Sequence, residues 1–307
     1  MRIIGAIDMC GIVGIFIKNP KLESQLGLYL SSMLAEMSDR GPDSAGVAIY
    51  HDPVASNHAK LTVFASDNDY SWDSLSQDLQ QAFGSEVSIS VHSNHAVLKV
   101  MATPSTVQDW LAANHPELRV NSAGETIEIF KGKGSPNDFI KDFELEKFQG
   151  THALGHTRMA TESAVTTEHS HPFSTGLDLC LVHNGSLSNH NRLREVLRKR
   201  GITFQTDNDS EVAAGYLAWR LQQGDSLDQA LEHAIDDLDG FYTFAIGSKD
   251  GFAVMCDPVG CKPAVMAETD DWAAMSSEFR AIATLPGVEN ARIWEPAPAQ
   301  IYSWKRE

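Results

Sequence analysis

Residues 9–17 read "MCGIVGIFI", Met9 to Ile17, and the fold turns on how this stretch is read. From Gly11 to Ile17 the run is almost continuously apolar, which suits a strand covered on both faces. Cys10 stands at its head, directly behind a second methionine. Two readings are open from these residues alone. In one, Cys10 is a core thiol and Met9 is incidental. In the other, Cys10 is the first residue of the working protein and Met9 marks its start.

Composition narrows the setting. A chain of 307 residues, 42% hydrophobic and 21% charged, is that of a globular protein able to bury a sizeable core, as one large domain or two ordinary ones. Its 24 Lys and Arg against 41 Asp and Glu leave a net charge of −17. Such a charge repels phosphate backbones and anionic membrane surfaces, so neither nucleic acid nor a membrane is an expected partner. No run approaches the roughly eighteen apolar residues of a membrane span. The segment Ile3 to Ile7 is too short and too weakly basic for a secretory signal, so the expected location is the cytoplasm. Cys10, Cys180, Cys256 and Cys261 are too few and too scattered for a disulfide framework.

Outward from the first strand, Leu22, Leu26, Leu30, Met33, Leu34 and Met37 recur at helical spacing, and "SDRGPDSAG" should stop that helix. "GVAIY" reads as a second strand. Between about 51 and 150 short strands ("LTVFA", "VSISV", "AVLKVM", "ETIEIF") mix with short helices ("SWDSLSQDLQQAF", "STVQDWLAA", "SPNDFIKDF"), as in an inserted or elaborated region. "HALGHTRMAT" and "LDLCLVHNG" read as strands, and "NHNRLREVLRKRG" and "DSEVAAGYLAWRLQQG" as helices with charges suited to their dipoles. The last seventy or so residues return to strands, from "GFYTFAIGS" to "AQIYSW". No repeat, low-complexity segment or linker divides the chain.

Four stretches place unusual polar residues at strand ends: "MCGIVG", "GHTRMAT", "VHNGSLSN" and "TDNDSEV". Taken singly, each has a plain explanation. Arg158 at the end of a strand reads as an exposed ion-pair partner, Asn184-Gly185 as a turn dipeptide, and Asp209 as a helix N-cap.

Taken together and in order, "CGIVGIF", "RGPDSAG", "GHTRMAT", "HPF", "HNGSLSN" and "TDNDSEV" resemble the class II glutamine amidotransferases, which are N-terminal-nucleophile hydrolases. The likeness continues into "DPVGCKPAVMAETDDWAAMSSEFRAI" and covers most of residues 10–290, with 51–150 poorly matched. It implies an α+β fold: a four-layer αββα sandwich of two antiparallel sheets flanked by helices. Residues 10–307 would form a single amidotransferase domain.

The same resemblance implies the chemistry. Hydrolysis of a primary amide needs a nucleophile, a base and donors for the oxyanion. Cys10 would be the nucleophile, and its own free α-amine, titrating near pH 8, would be the base. Asn184, through its side-chain amide, and Gly185, through its N–H, match the family's oxyanion hole. Arg158 would grip the α-carboxylate of glutamine bidentately, and Asp209 the α-ammonium. Thr161 and His171 would line the pocket, while Asp43 and Ser44 are read as structural, holding a turn beside the nucleophile strand.

That mechanism requires residues 1–9 to be absent. Either translation starts at Met9, the preferred reading, or the leader is a self-cleaved propeptide. With the leader retained, the base is blocked and the chain would be a silent scaffold or a regulatory component. No metal is expected. His152, His156, His169 and His171 are dense, but His152 and His156 lie on a strand, where residues four apart are more than about 12 Å from each other, and no CxxC or HExxH accompanies them. No cofactor is implied either, since the sequence offers no nucleotide loop or cluster motif. Within the family the chain resembles free-standing proteins related to the first domain of the glutamate synthase large chain, such as the amidotransferase component of N-methylglutamate synthase. That likeness implies a synthase partner which takes up the ammonia and carries its own cofactors.

Overall fold

The protein is described here by a computed structural model covering residues 10–51, 53–159 and 166–306. The leader and Thr161 lie outside the described residues.

The strands are β1 (Gly11–Ile17), β2 (Ser44–Tyr50), β3 (Ala59–Ala65), β4 (Ser88–His92), β5 (His95–Val100), β6 (Leu118–Gly124), β7 (Ile127–Lys133) and β8 (His152–Arg158). They continue as β9 (Phe173–Gly176), β10 (Leu179–Leu187), β11 (Gly240–Ser248), β12 (Gly251–Cys256), β13 (Val265–Glu268), β14 (Trp272–Ser276), β15 (Arg292–Trp294) and β16 (Ile301–Lys305). The helices are α1 (Leu26–Glu36), α2 (Trp72–Phe83), α3 (Pro104–Asn114), α4 (Pro136–Asp142), α5 (His190–Arg198), α6 (Asp209–Gln222), α7 (Leu227–Asp237) and α8 (Phe279–Ile282).

One antiparallel sheet has the order β15-β13-β14-β1-β8-β2-β7, and a second the order β16-β12-β11-β10-β9. Three cores stack through them. On the outside of the first sheet Val13, Ile15 and Ile17 pack with Leu30, Met33 and Leu34 of α1. Between the sheets Ile12 and Phe16 meet Leu154, Val182, Phe252 and Val254. Beyond the second sheet Leu181, Tyr242 and Phe244 pack with Val212, Leu217 and Leu231 of α6 and α7. This is the expected αββα sandwich. It also explains the apolar run of β1: alternate residues serve two different cores, so no position on the strand faces water.

The chain from β3 to β6 forms a separate βαββαβ unit with the antiparallel order β4-β5-β3-β6 and its own core, in which Leu61, Val63 and Leu98 meet Leu75, Leu79 and Leu111. The opposite face of this small sheet covers β7, the edge of the first large sheet. Ile129 donates its backbone N–H to Thr62 Oγ1 at 3.3 Å, and Lys131 its own to His95 Nε2 at 3.3 Å. An edge that would otherwise be open to pairing with another chain is thus closed by side chains. The fully buried Lys60 lies 3.4 Å from Glu128 and donates to the carbonyl of Thr126 at 3.2 Å, fixing the two sheets against each other.

Local details differ from the sequence reading. Leu22 lies in a 3-10 turn, Pro20–Gln25, and the α-helix begins only at Leu26. β6, β9, β15, α7 and α8 carry no sequence prediction. The cue for α7 was present, as a capping box in which Ser226 and Gln229 satisfy each other's backbone N–H.

Candidate active site

Cys10 immediately precedes β1. Because β1 pairs with β8 in the register Gly11 to Thr157, Cys10 stands level with Arg158. Burial pushes the Cys10 thiol above its ordinary range. The backbone of Met159 and the positive charges of Arg158 and Arg40 act in the opposite direction.

The oxyanion candidates come from the other sheet. Asn184 Nδ2 donates to the carbonyl oxygen of Cys10 at 3.3 Å. Asn184 and Gly185 are not a turn: they lie within β10, paired with Thr243 and Tyr242 of β11. Gly185 has φ +140°, and a Cβ there would sit 1.9 Å from the carbonyl oxygen of Phe241. Only glycine fits that backbone.

Arg158 is not exposed. It is buried to 8% exposure at the end of β8, and its Nη1 donates to the His169 carbonyl at 3.5 Å. Asp43 and Ser44 support it from β2 and the turn before. The Asp43 N–H donates to the Arg158 carbonyl at 3.1 Å, and Ser44 pairs with Arg158 while accepting a hydrogen bond from Ser170 Oγ at 3.0 Å.

Asp209 is not the N-cap of α6. Asn208 is, its Oδ1 accepting from the Ser210 N–H at 2.8 Å. Asp209 is the first helical residue, and its carboxylate is turned to the end of β10: Oδ2 accepts from the Leu187 N–H at 2.9 Å, and Oδ1 from Ser210 Oγ at 3.3 Å. This places it beside the strand that carries Asn184 and Gly185. His171 is buried with its ring stacked on His156 at 4.0 Å between centroids, and its Nδ1 accepts from the His183 N–H at 3.1 Å. Its carbonyl oxygen lies where a Cβ on Gly46 would be only 2.0 Å away, so the segment before β9 rests on β2 only because residue 46 is glycine.

The remaining histidines of the dense region are held by local contacts. His152 stacks on Tyr50 at 4.2 Å between centroids, and its Nε2 lies 2.9 Å from the Ser248 carbonyl of the second sheet. His169 Nδ1 is 2.7 Å from Thr166 Oγ1. Among the described residues no group of three or more His, Cys, Asp or Glu side chains is placed to hold a metal ion.

Three residues within the quoted motifs gain importance that the sequence did not assign. Arg40 of "RGPDSAG" lies close enough to influence the Cys10 thiol. It pairs with Glu278, and its Nε and Nη2 are buried without partners among the described residues. His183, next to Asn184, and Ser210, next to Asp209, connect their neighbours by hydrogen bonds. Their signal was adjacency to candidate site residues.

Residues 156–284 match the family model described as a glutamine amidotransferase domain. The chain is 52% identical over 300 residues to the glutamine amidotransferase-like protein GlxB of Rhizobium meliloti (strain 1021), covering 97% of this chain and 99% of that relative. It is 33% identical over 175 residues to an amidophosphoribosyltransferase of Archaeoglobus fulgidus, covering 56% of this chain and 38% of the relative. Among solved structures, one described as the allosteric regulatory enzyme of purine biosynthesis superposes with a TM-score of 0.58 at 21% identity, covering 96% of this chain. The chain spans 47% of the length of that structure. At that identity the superposition speaks for the fold alone, and the family rests on the full-length sequence match. The chain belongs to the glutamine amidotransferases.

Proposed function

We propose that the protein hydrolyses free L-glutamine to glutamate and ammonia through a Cys10 thioester, and that a partner synthase consumes the ammonia. The observation that carries this reading is the Asn184 side chain meeting Cys10 across the two sheets at 3.3 Å. Gly185 follows it, Arg158 is level with the cysteine, and Asp209 is anchored at the end of the same strand.

In this mechanism the α-amine of Cys10, free once residue 10 is first, takes the thiol proton as sulfur attacks the side-chain amide carbon. The oxygen becomes an oxyanion, held by Asn184 Nδ2 and the Gly185 N–H. Collapse breaks the C–N bond, the protonated amine returns its proton to the leaving nitrogen, and ammonia departs, leaving the thioester. Water then adds with the amine as base, and glutamate is released. A buried thiol that is hard to ionise makes such a base necessary, because the thiolate is the nucleophile.

Recognition is by opposite charges: Arg158 for the carboxylate and Asp209 for the ammonium select a free amino acid over a peptide-bound glutamine. His171 forms part of the pocket wall, and Thr161 is assigned there by the resemblance. The resemblance to glutamate-synthase-like proteins supports a cytoplasmic partner that takes up ammonia.

The test is glutamate release by the isolated chain beginning at Cys10, alongside Cys10→Ala and a chain retaining residues 1–9. Activity and labelling by a glutamine-analogue electrophile should require Cys10 at the N-terminus. Equal activity with the leader attached would sink the mechanism. Co-purification from the host should recover a synthase whose amination then depends on glutamine.

A further inference from the structure

A chain of polar contacts runs behind the site on the helix side of the second sheet. His183 lies on β10 next to Asn184, is 3% exposed, and meets the edge of the Phe244 ring at 5.0 Å. Its Nδ1 is 2.8 Å from Ser210 Oγ, and Ser210 Oγ in turn donates to Asp209 Oδ1 at 3.3 Å. Asp209 Oδ1 is itself 3.7 Å from His183 Nδ1. Ser210 is 2% exposed, so water does not compete for its hydroxyl.

We propose that His183 and Ser210 are positioning residues for the Asp209 carboxylate, acting as a directed relay in which His183 Nδ1–H donates to Ser210 Oγ and the Ser210 hydroxyl donates to Asp209 Oδ1. This rests on the reading of Asp209 as the site for the α-ammonium of glutamine.

The direction follows from donor arithmetic. A carboxylate only accepts, so the Ser210 proton points to Asp209 and the serine oxygen is left to accept. Its neighbour, Nδ1 of His183, must then carry the hydrogen. Burial holds this imidazole neutral, pushing its pKa down to about 4, so a single proton must be placed. The other nitrogen, Nε2, has no partner among the described residues and therefore gives the proton no acceptor. Next to it, His171 Nδ1 accepts the His183 N–H, which leaves the His171 proton on Nε2. With Leu187 holding Oδ2 from the backbone, both oxygens of Asp209 are fixed before substrate arrives, and the pocket spends no ordering entropy on the clamp.

The test compares two substrates on the chain beginning at Cys10: glutamine, and 4-carbamoylbutanoate, which is glutamine without its α-amino group. Ser210→Ala should raise KM for glutamine about tenfold with kcat changed less than about threefold, the loss of one hydrogen bond to a charged group. It should leave kinetics with 4-carbamoylbutanoate unchanged. Ser210→Thr and His183→Asn, which keep the hydroxyl and a donor at the Nδ1 position, should each leave KM for glutamine within about threefold of the unaltered protein. Long-range 1H–15N NMR correlation should show His183 as the Nδ1–H tautomer in the unaltered protein.

Equal losses toward both substrates, an unchanged KM for glutamine, or an Nε2–H tautomer would each overturn the relay. A wild-type chain that fails to hydrolyse glutamine would overturn the glutaminase reading instead, and the tautomer would still decide whether the relay exists.

Discussion

The side-chain amide of Asn184, on one sheet, donates to the carbonyl oxygen of Cys10, at the head of the facing sheet, across 3.3 Å. The two residues are 174 positions apart in the chain. The sandwich is what brings them together.

Asn184→Ala removes that donor without opening the core. If Asn184 holds the oxyanion, its loss should lower kcat by roughly 10²–10³-fold while KM changes little. Steady-state glutamate release checks this, with circular dichroism to show the fold intact. A kcat within a few-fold of wild type would remove Asn184 from the oxyanion hole.

Asp209→Asn keeps the shape and loses the charge. If the carboxylate binds the α-ammonium, KM for glutamine should rise by roughly 10–150-fold, corresponding to about 1.5–3 kcal/mol for a hydrogen bond to a charged group. The discriminating measurement is the ratio of its effects on glutamine and on 4-carbamoylbutanoate, which should differ by that factor.

Gly185→Ala forces a Cβ to 1.9 Å from the Phe241 carbonyl at φ +140°. β10 must separate locally from β11, moving the Gly185 N–H out of place. Both the urea midpoint and kcat should fall. The backbone strain alone is worth about 1–3 kcal/mol, and an unchanged midpoint would show that the strand yields freely.

Acid should unfold the protein through its buried imidazoles. Burial pushes His95, His152 and His156 down to about 3 each, against an ordinary value near 6.5. Between those values the unfolded chain binds more protons than the folded one, so stability rises with pH. The contribution is complete above about pH 6.5 and is lost as pH falls toward 3, at about 1.4 kcal/mol per pH unit for each group. Urea midpoints measured from pH 7.5 to 5 should decline, and replacing any one of the three with a neutral residue should flatten the slope.

His95→Leu tests how the inserted unit is attached. The substitution leaves the Lys131 N–H buried without its 3.3 Å acceptor, at a cost of about 1–3 kcal/mol. Thermal melting should fall accordingly, and proteolysis should then enter the β3 to β6 unit ahead of the sandwich. Thr62→Val, which removes the acceptor for Ile129, should act in the same direction.

Much of this was legible without coordinates because local patterns were strong. β1 was marked by its apolar run, α5 and α6 by their charge distribution, and the candidate nucleophile by a cysteine heading a strand. The weaker elements escaped for physical reasons. β6 reads "LRVNSAG" and β9 "FSTG", polar or short strands whose stability comes from neighbours rather than from their own sequence. α7 escaped although its capping box was on view. Local readings also misplaced polar residues: Asn184-Gly185 has turn composition yet runs within a strand, because Gly185 admits a backbone that lets β11 approach closely.

By itself the sequence determined the order of the motifs, the family they resemble, and the alternation that lets β1 serve two cores. Only the tertiary structure decided that Asn184 meets Cys10, that Asp209 turns to the end of β10 rather than capping its helix, and that the βαββαβ unit closes the edge of the first sheet. The reason is one of range. Periodicity and capping act within a few residues, whereas the candidate site draws on the ends of β1, β8, β10 and α6. Their spacing in space is set by sheet register and by the packing between layers.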